Sequence, residues 1–327
     1  MTDRETPPNR SFSEFFAAEI APQIEHLEAQ RRDRLRATYA RLGGTAFTIA
    51  IAAIIAWQTW HPVAGIALLS AGILLGFIWG VQPARRHRDA VRELFIPPLC
   101  RYLGDVEYHR KPGERFDLTR IERSGITGKF NRAKLEDLFT GRYRDTDFRM
   151  VEARLKQKRS SANGNGHARQ RIVFSGLLCD VGVPVPFEGI VLLVGDKGAL
   201  GNRIVDWLRE KFIGIAPVTL DHAAFEERYQ VYSDNAAEAV RLLQPSLLDT
   251  LLALADELGL QAVNCAFIEG HFAIALPQNE NLFEVGRLHR SLERAEDDLR
   301  RLALEFTIPQ RLIDNLHGER RPLLPEG

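Results

Sequence analysis

The chain has 327 residues, with 43 Lys and Arg against 43 Asp and Glu, so its formal net charge is zero. This balance removes the usual electrostatic argument for nucleic-acid binding, although it leaves room for a local basic patch. The three cysteines, Cys100, Cys179 and Cys265, have neither zinc-site nor disulfide spacing. We therefore expect buried thiols, no metal site and no cofactor.

Residues 1–41 predict a cytosolic helical stalk. The sequence Ser11-Phe12-Ser13-Glu14 is typical of a capping box at the start of a helix. An arginine cluster follows at positions 31, 32, 34, 36 and 41.

Residues 42–81 predict a transmembrane helical hairpin. The segments 42–60 and 63–81 contain no formally charged residue, and nineteen helical residues rise roughly 28 Å, close to the thickness of a bilayer core. Arginines lie outside both ends, and none lies in the loop at His61-Pro62. By the positive-inside rule, this predicts a two-pass protein of the bacterial inner membrane with both termini cytoplasmic.

Small residues recur at every fourth position in both segments of the predicted hairpin. Folding about Pro62 would bring the two stripes together and allow close helix packing, within one chain or between chains of a homo-oligomer. The stripes consist of Gly44, Thr48, Ala52, Ala56, Gly72, Gly76 and Gly80.

Residues 82–103 predict a juxtamembrane helix that extends at least to the Pro97-Pro98 pair, where a break is expected. Residues 104–327 predict a cytosolic α+β domain, because short alternating segments and turn signals dominate. Strands are predicted at 148–156, 171–179, 189–194 and 228–232, and the Ser/Gly/Asn-rich stretch between the first two is expected to be a hairpin tip.

The clearest hairpin is predicted around Glu269-Gly270. Folding there opposes Phe267 with Phe272 and Cys265 with Ile274, which places apolar side chains on one face and leaves His271 solvated on the other. A helix is expected from Pro245 to Gly259, and a last helix with a heptad pattern from about residue 282 to 306.

One loop, Val194 to Arg203, permits an enzymatic interpretation. It lies between an apolar strand and a helix-like segment, where a helix N-terminus could bind an anion. The residues concerned are Lys197, Gly198, Gly201, Asn202 and Arg203. The loop lacks both the P-loop ending and the dinucleotide-site glycine order, and a turn with an Asn202 N-cap explains the same residues. No catalytic motif is found elsewhere, which favours a protein that is not an enzyme.

Four ordered stretches carry a family resemblance: LEDLFTGRYRDTDFRMVEARL, RIVFSGLLCDV, FEERYQVYSDNAAEAVRLLQPSLLDTLLAL and HFAIALPQNENLFEV. They resemble the bacterial membrane protein family known as domain of unknown function 3137. The resemblance implies two N-terminal transmembrane helices and supplies no catalytic residue.

Together these observations predict a membrane-anchored, cytosolic binding or scaffolding module of α+β fold. Its expected partners are the lipid bilayer and another membrane or cytosolic protein, with no nucleic acid. The alternative is a membrane-tethered enzyme or sensor that binds a phosphorylated ligand at the Val194 to Arg203 loop.

Overall fold

The computed structural model describes residues 11–59, 66, 70, 72, 82–159, 169–195, 214–278 and 295–318. The chain forms two compact units. One comprises Met1–Tyr102 with Leu282–Ala303, and the other comprises Leu103–Asn281 with Leu304–Gly327. We call them the helical unit and the sheet unit.

The helical unit begins with the predicted capping box. Glu14 donates its backbone N–H to the Ser11 hydroxyl at 3.3 Å, and Ser11 returns its own N–H to the Glu14 carboxylate at 3.2 Å. The helix α1 (Phe12–Phe15) continues through a π-helical turn (Phe16–Ile20) into α2 (Ala21–Thr59). The prediction of a helix that starts near Ser11 is thus confirmed.

The third helix, α3 (Gln82–Leu103), runs through Pro97 and Pro98. The predicted break at this pair is therefore wrong. Packing offsets the hydrogen bonds that the prolines remove, because Phe95, Ile96, Leu99 and Cys100 around them are all buried. At the end of α3, the Tyr102 ring stacks on Phe15 with 4.6 Å between centroids.

Within the described residues, no helix is both long and apolar enough to cross a membrane. This finding contradicts the transmembrane hairpin predicted over residues 42–81 and, with it, the two-pass inner-membrane localisation. The stretch 42–60 carries no charge, but most of it is the continuation of the charged helix α2. The strongly apolar part of this stretch lies between Thr45 and Gln58. These residues, about twelve in number, rise roughly 18 Å as a helix, which is shorter than the roughly 30 Å core of a bilayer. Most of the second segment, 63–81, lies outside the described residues.

The sheet unit confirms the α+β class with an antiparallel sheet. Nine strands are paired in the order β1-β2-β3-β4-β9-β8-β5-β7-β6, and every ladder is antiparallel. The strands are β1 (Val106–His109), β2 (Arg132–Tyr143), β3 (Thr146–Arg159), β4 (Arg169–Gly182), β5 (Val191–Gly195), β6 (Ala216–Val218), β7 (Tyr229–Ser233), β8 (Asn264–Ile268) and β9 (His271–Pro277).

Five helices accompany these strands along the chain: α4 (Leu118–Ser124), α5 (Ala223–Glu226), α6 (Ala236–Leu242), α7 (Pro245–Glu257) and α8 (Ala295–Leu316). The helix predicted from Pro245 is confirmed as α7. The last predicted helix extends ten residues beyond its expected end at 306, because Ile308, Leu312 and Ile313 are also buried. Its expected beginning at residue 282 lies outside the described residues.

Two tight turns fix the register of the sheet. The turn at Glu269-Gly270 has positive φ at both residues, 52° and 75°, as a type I′ hairpin requires. It opposes Phe267 with Phe272 and Cys265 with Ile274, which confirms the predicted register. Arg144-Asp145 makes the corresponding turn between β2 and β3, with φ of 47° and 59°.

Both faces of the sheet are buried over its central strands. One face, which we call the α4 face, carries a core cluster that includes Ile121, Val151 and Leu178. The opposite face, which we call the α8 face, places Phe139 edge-on against Phe306 of α8 with 4.6 Å between centroids. Helix α8 is joined to α7 by an Arg311–Glu257 ion pair at 2.8 Å.

The Glu269-Gly270 hairpin should be a sensitive point for stability. Replacing Phe267 or Ile274 by Ala removes a fully buried side chain, and we expect the free energy of unfolding to fall by roughly 2–5 kcal/mol. Urea unfolding of the full chain measures the change. As a control, Val240→Ala, at a side chain that is 56% exposed, should change it by less than about 0.5 kcal/mol. Equal effects at both kinds of position would contradict the assigned register.

Candidate functional site

The anion loop predicted from the sequence cannot be placed, because Lys197, Gly198, Gly201, Asn202 and Arg203 lie outside the described residues. The strand before it is present: β5 ends at Gly195, whose N–H donates to the Asn264 side chain at 3.2 Å. Phosphate binding at this loop therefore stays a prediction.

The predicted small-residue stripes are described only in part. Gly44, Thr48, Ala52 and Ala56 lie along α2, and a Cβ added at Gly44 would meet no atom within 4 Å. A Cβ at Gly72 would lie 2.6 Å from Ile49, so the chain approaches α2 closely there. Gly76 and Gly80 lie outside the described residues, and packing of the two stripes against each other stays a prediction.

Asp180 on β4 is one of the most enclosed charged groups of the sheet unit, with only 3% of its side chain exposed. Its Oδ2 accepts a hydrogen bond from Arg120 of α4 at 2.8 Å and lies 3.6 Å from the Arg149 guanidinium of β3. Its Oδ1 lies 3.3 Å from His271 Nδ1. We call these four residues the Asp180 cluster.

His271 was expected to be solvated, and the structure corrects this expectation. Its side chain is 24% exposed and contacts Asp180, because the pairing of β4 with β9 puts both side chains on the α4 face. The hairpin register alone gave the correct face of β9, but it could not show which strand would lie beside it.

Glu269 connects the neighbouring turn to the Asp180 cluster. Its carboxylate lies 2.6 Å from Arg123 and 3.8 Å from Arg120 Nε. Arg120 also lies 3.4 Å from Asp117, the N-cap residue of α4. Three arginines are thus matched by three carboxylates, so the site is close to neutral and acts as an ion-pair network that fixes α4 to the sheet. Among the described residues, the ion-pair partner of His271 is Asp180.

The three cysteines are buried and unpaired, as expected. Burial raises the pKa of the Cys100 thiol to about 11 and raises those of Cys179 and Cys265 as well. These thiols therefore stay protonated near neutral pH and are poor nucleophiles.

A second buried carboxyl, Glu305, lies on α8. Burial raises its pKa to about 8, and a hydrogen bond from Gln278 Nε2 at 3.3 Å lowers it in part. Glu305 is therefore mostly protonated at neutral pH. The position belongs to the packing of α8 on the end of β9.

A different kind of surface lies where β2, β3 and β4 extend past their neighbours. We call the extension, residues 132–136, 152–159 and 169–175, the basic arm. The α4 face of the arm is apolar, with Leu155 and Phe174 buried in the core cluster and Leu135 packed against it.

The opposite face of the basic arm is cationic. Cross-strand pairing places Arg132 opposite Lys156 and Lys134 opposite Arg154, so like charges are direct neighbours. Such pairs destabilise a sheet unless something neutralises them. Five cations with described side chains lie on this face, together with Glu136 and Glu152: Arg132, Lys134, Arg154, Lys156 and Lys158. In this described set only Lys134 has a carboxylate partner, Glu136 at 2.5 Å.

Sequence reasoning missed the basic arm, although a signal was present. Basic residues alternate with other residues in RAKLE, EARLKQKR and RQRI. Each stretch looks like the solvated face of one strand, and only the pairing of β2 with β3 merges the first two into one surface. The zero net charge of the whole chain concealed this local concentration.

The model of a family described as "Protein of unknown function (DUF3137)" matches residues 172–317. No curated protein matches the sequence. A solved structure, the crystal structure of the mycobacterial trehalose monomycolate transport factor A, TtfA, matches with 12% identity over 75% of this chain and 99% of that chain. Its TM-score of 0.32 is too low to support an inference.

Removing the Asp180 carboxylate should destabilise the sheet unit strongly. Asp180→Ala leaves Arg120 enclosed without its closest partner, and breaking a buried pair costs about 3–5 kcal/mol. The free energy of unfolding in urea measures this. Asp147→Ala breaks an exposed pair with Arg142 and should cost less than about 1 kcal/mol. A small effect at Asp180 would show that the cluster does not hold α4.

Glu305 should make stability depend on pH. Its folded-state pKa, about 8, lies above the unfolded value of 4.5, so the folded state retains a proton that the unfolded state loses between these values. Its contribution to stability is therefore present at low pH and is lost as the pH rises from about 4.5 to 8. Glu305→Gln should remove this dependence, so the variant should gain stability over the wild type as the pH rises from 5 to 8. A constant difference in unfolding free energy across that range would contradict the raised pKa.

Proposed function

We propose that the protein is a binding or scaffolding module for an acidic partner protein. The proposal rests on the sheet unit itself, because the DUF3137 family model that matches residues 172–317 describes no activity. The observation that carries the proposal is the cationic face of the basic arm. Its charges are exposed and aligned in neighbouring strands, and among the described residues they are largely without carboxylate partners.

The contrast with the Asp180 cluster supports this interpretation. There, each arginine lies near a carboxylate of the same chain, and the network serves the fold. On the basic arm, by contrast, Arg154 and Lys158 are exposed, and no carboxylate among the described residues pairs with them. Binding an acidic surface would relieve the repulsion between neighbouring cations and release their counterions.

The composition of the cationic face favours a protein partner over a nucleic acid. Single-stranded nucleic acids bind on exposed aromatic side chains, but Phe174, the one aromatic residue of the described arm, lies on the apolar face. The cationic face instead includes Ile172, which is 52% exposed and lies opposite Lys156. An exposed apolar residue among cations suits a partner with both acidic and apolar side chains.

A binding assay with poly-L-glutamate tests the proposal. The full chain should bind it with an affinity that falls as salt is added, and Arg154→Glu with Lys158→Glu should weaken binding at least tenfold. Fluorescence anisotropy provides the measurement. The matched control, Arg36→Glu with Arg142→Glu, makes the same change in net charge at exposed positions outside the arm.

Two results would contradict the proposal. One is an absence of salt-sensitive binding by the wild type, and the other is an equal loss in the control variant. Crosslinked co-purification with the wild type and both double variants then identifies the native partner, which should be recovered with the wild type and the control but not with the arm variant.

A further inference from the structure

The basic arm has an open backbone edge beside its cationic face. Strand β1 pairs with β2 only over residues 138–141. Residues 132–136 of β2 pair with β3 on one side, and in the described part of the chain no strand pairs with them on the other. Five strand residues expose about 17 Å of edge.

The direction of the backbone groups along this edge follows from the register. Asn131 donates its N–H to the Lys156 carbonyl, so Lys156 turns its backbone toward β2. The direction of the backbone N–H and C=O groups alternates along a strand, so those of Arg154 and Glu152 also point toward β2. The groups of their partners, Lys134 and Glu136, point toward β3. Ala133 and Leu135 therefore direct their N–H and C=O groups outward.

A β-bulge separates the open edge from the part that β1 covers. The extra residue is Asp137, with φ of 52°, and its N–H donates to the Arg110 carbonyl at 3.2 Å. Its carboxylate accepts a hydrogen bond from the Tyr108 hydroxyl at 2.5 Å. These bonds fix the end of β1 at the bulge, so β1 does not cover the edge beyond it.

We infer that the open edge at Arg132–Glu136 accepts an extended acidic segment of the partner protein as an additional strand. This inference rests on the proposed function and specifies how the partner is bound. Main-chain hydrogen bonds to Ala133 and Leu135 hold the segment, and side chains select it. The segment's residues on the cationic face lie about 5 Å from Arg132 and Lys134, where carboxylates are favoured. Its residues on the other face lie beside Ala133 and Leu135, where apolar side chains are favoured.

The expected recognition pattern is thus an alternation of acidic and apolar residues. The probe is a fluorescein-labelled peptide with the core EVEVE between Gly-Ser flanks, and a peptide with the core EEEVV has the same charge and the wrong alternation. Because the valines of EVEVE would bond to Ala133 and Leu135, a third peptide carries N-methyl groups on both valines. Binding to the full chain is measured by fluorescence anisotropy.

The variant Ala133→Pro removes an outward N–H without touching the bonds between β2 and β3, and proline is tolerated on edge strands. Ala133→Val keeps the N–H and is the matched control. We expect EVEVE to bind at least tenfold more tightly than EEEVV. We also expect at least a tenfold loss of affinity with Ala133→Pro or with the N-methylated peptide, and less than a twofold change with Ala133→Val. The N-methylated peptide tests the same bonds in the unaltered protein, should Ala133→Pro fail to fold.

The outcomes separate this inference from the proposed function. If all three peptides bind equally and only Arg154→Glu with Lys158→Glu abolishes binding, the added strand is wrong and the basic surface is retained. If no peptide binds, whereas duplex DNA or vesicles containing anionic phospholipid bind to the same arm residues, the partner is not a protein and both proposals are overturned.

Discussion

The pairing of β4 with β3 on one side and β9 on the other is the constraint on which the rest of the sheet unit depends. From Gly176 to Gly182, β4 is paired on both sides, and both of its faces are buried. From Arg169 to Ser175, β3 is the one strand paired with it in the described part of the chain. One strand therefore builds two environments: an enclosed centre at its carboxyl end and an extended arm at its amino end.

An unpaired charge has a different energetic cost in these two environments. At the centre, low solvent access makes an uncompensated ion costly, and Asp180 lies among arginines that are matched by other carboxylates. On the arm, solvent screens each cation, so repulsion between neighbours is tolerable and a row of positive charges can persist. Arginine side chains therefore stabilise the fold at the centre and are available for binding on the arm. Burial accounts for this difference in role.

The parts of this structure that could be predicted from the sequence are the local ones. The Glu269-Gly270 turn fixed the register of its hairpin because a two-residue turn leaves one way to oppose Phe267 and Phe272. The meeting of Asp180 with His271 could not be predicted, since it depends on pairing between strands far apart in the chain. The membrane hairpin was wrong because absence of charge was taken as enough for a span. The break at Pro97-Pro98 was wrong because burial around the prolines outweighed the local rule.

The bulge at Asp137 also changes which residues of β2, the odd-numbered or the even-numbered ones, lie on a given face of the sheet. Before it, even-numbered residues such as Lys134 lie on the cationic face, and after it Phe139 takes that face and reaches Phe306. Deleting Asp137 itself would join Glu136 to Leu138 in regular alternation and keep every side chain on its face. Deleting a residue outside the bulge, such as Leu135, would instead turn Arg132 and Lys134 toward the α4 face. The number of residues before and after the bulge is therefore fixed to the single residue, and β2 should tolerate substitutions far better than a deletion outside the bulge.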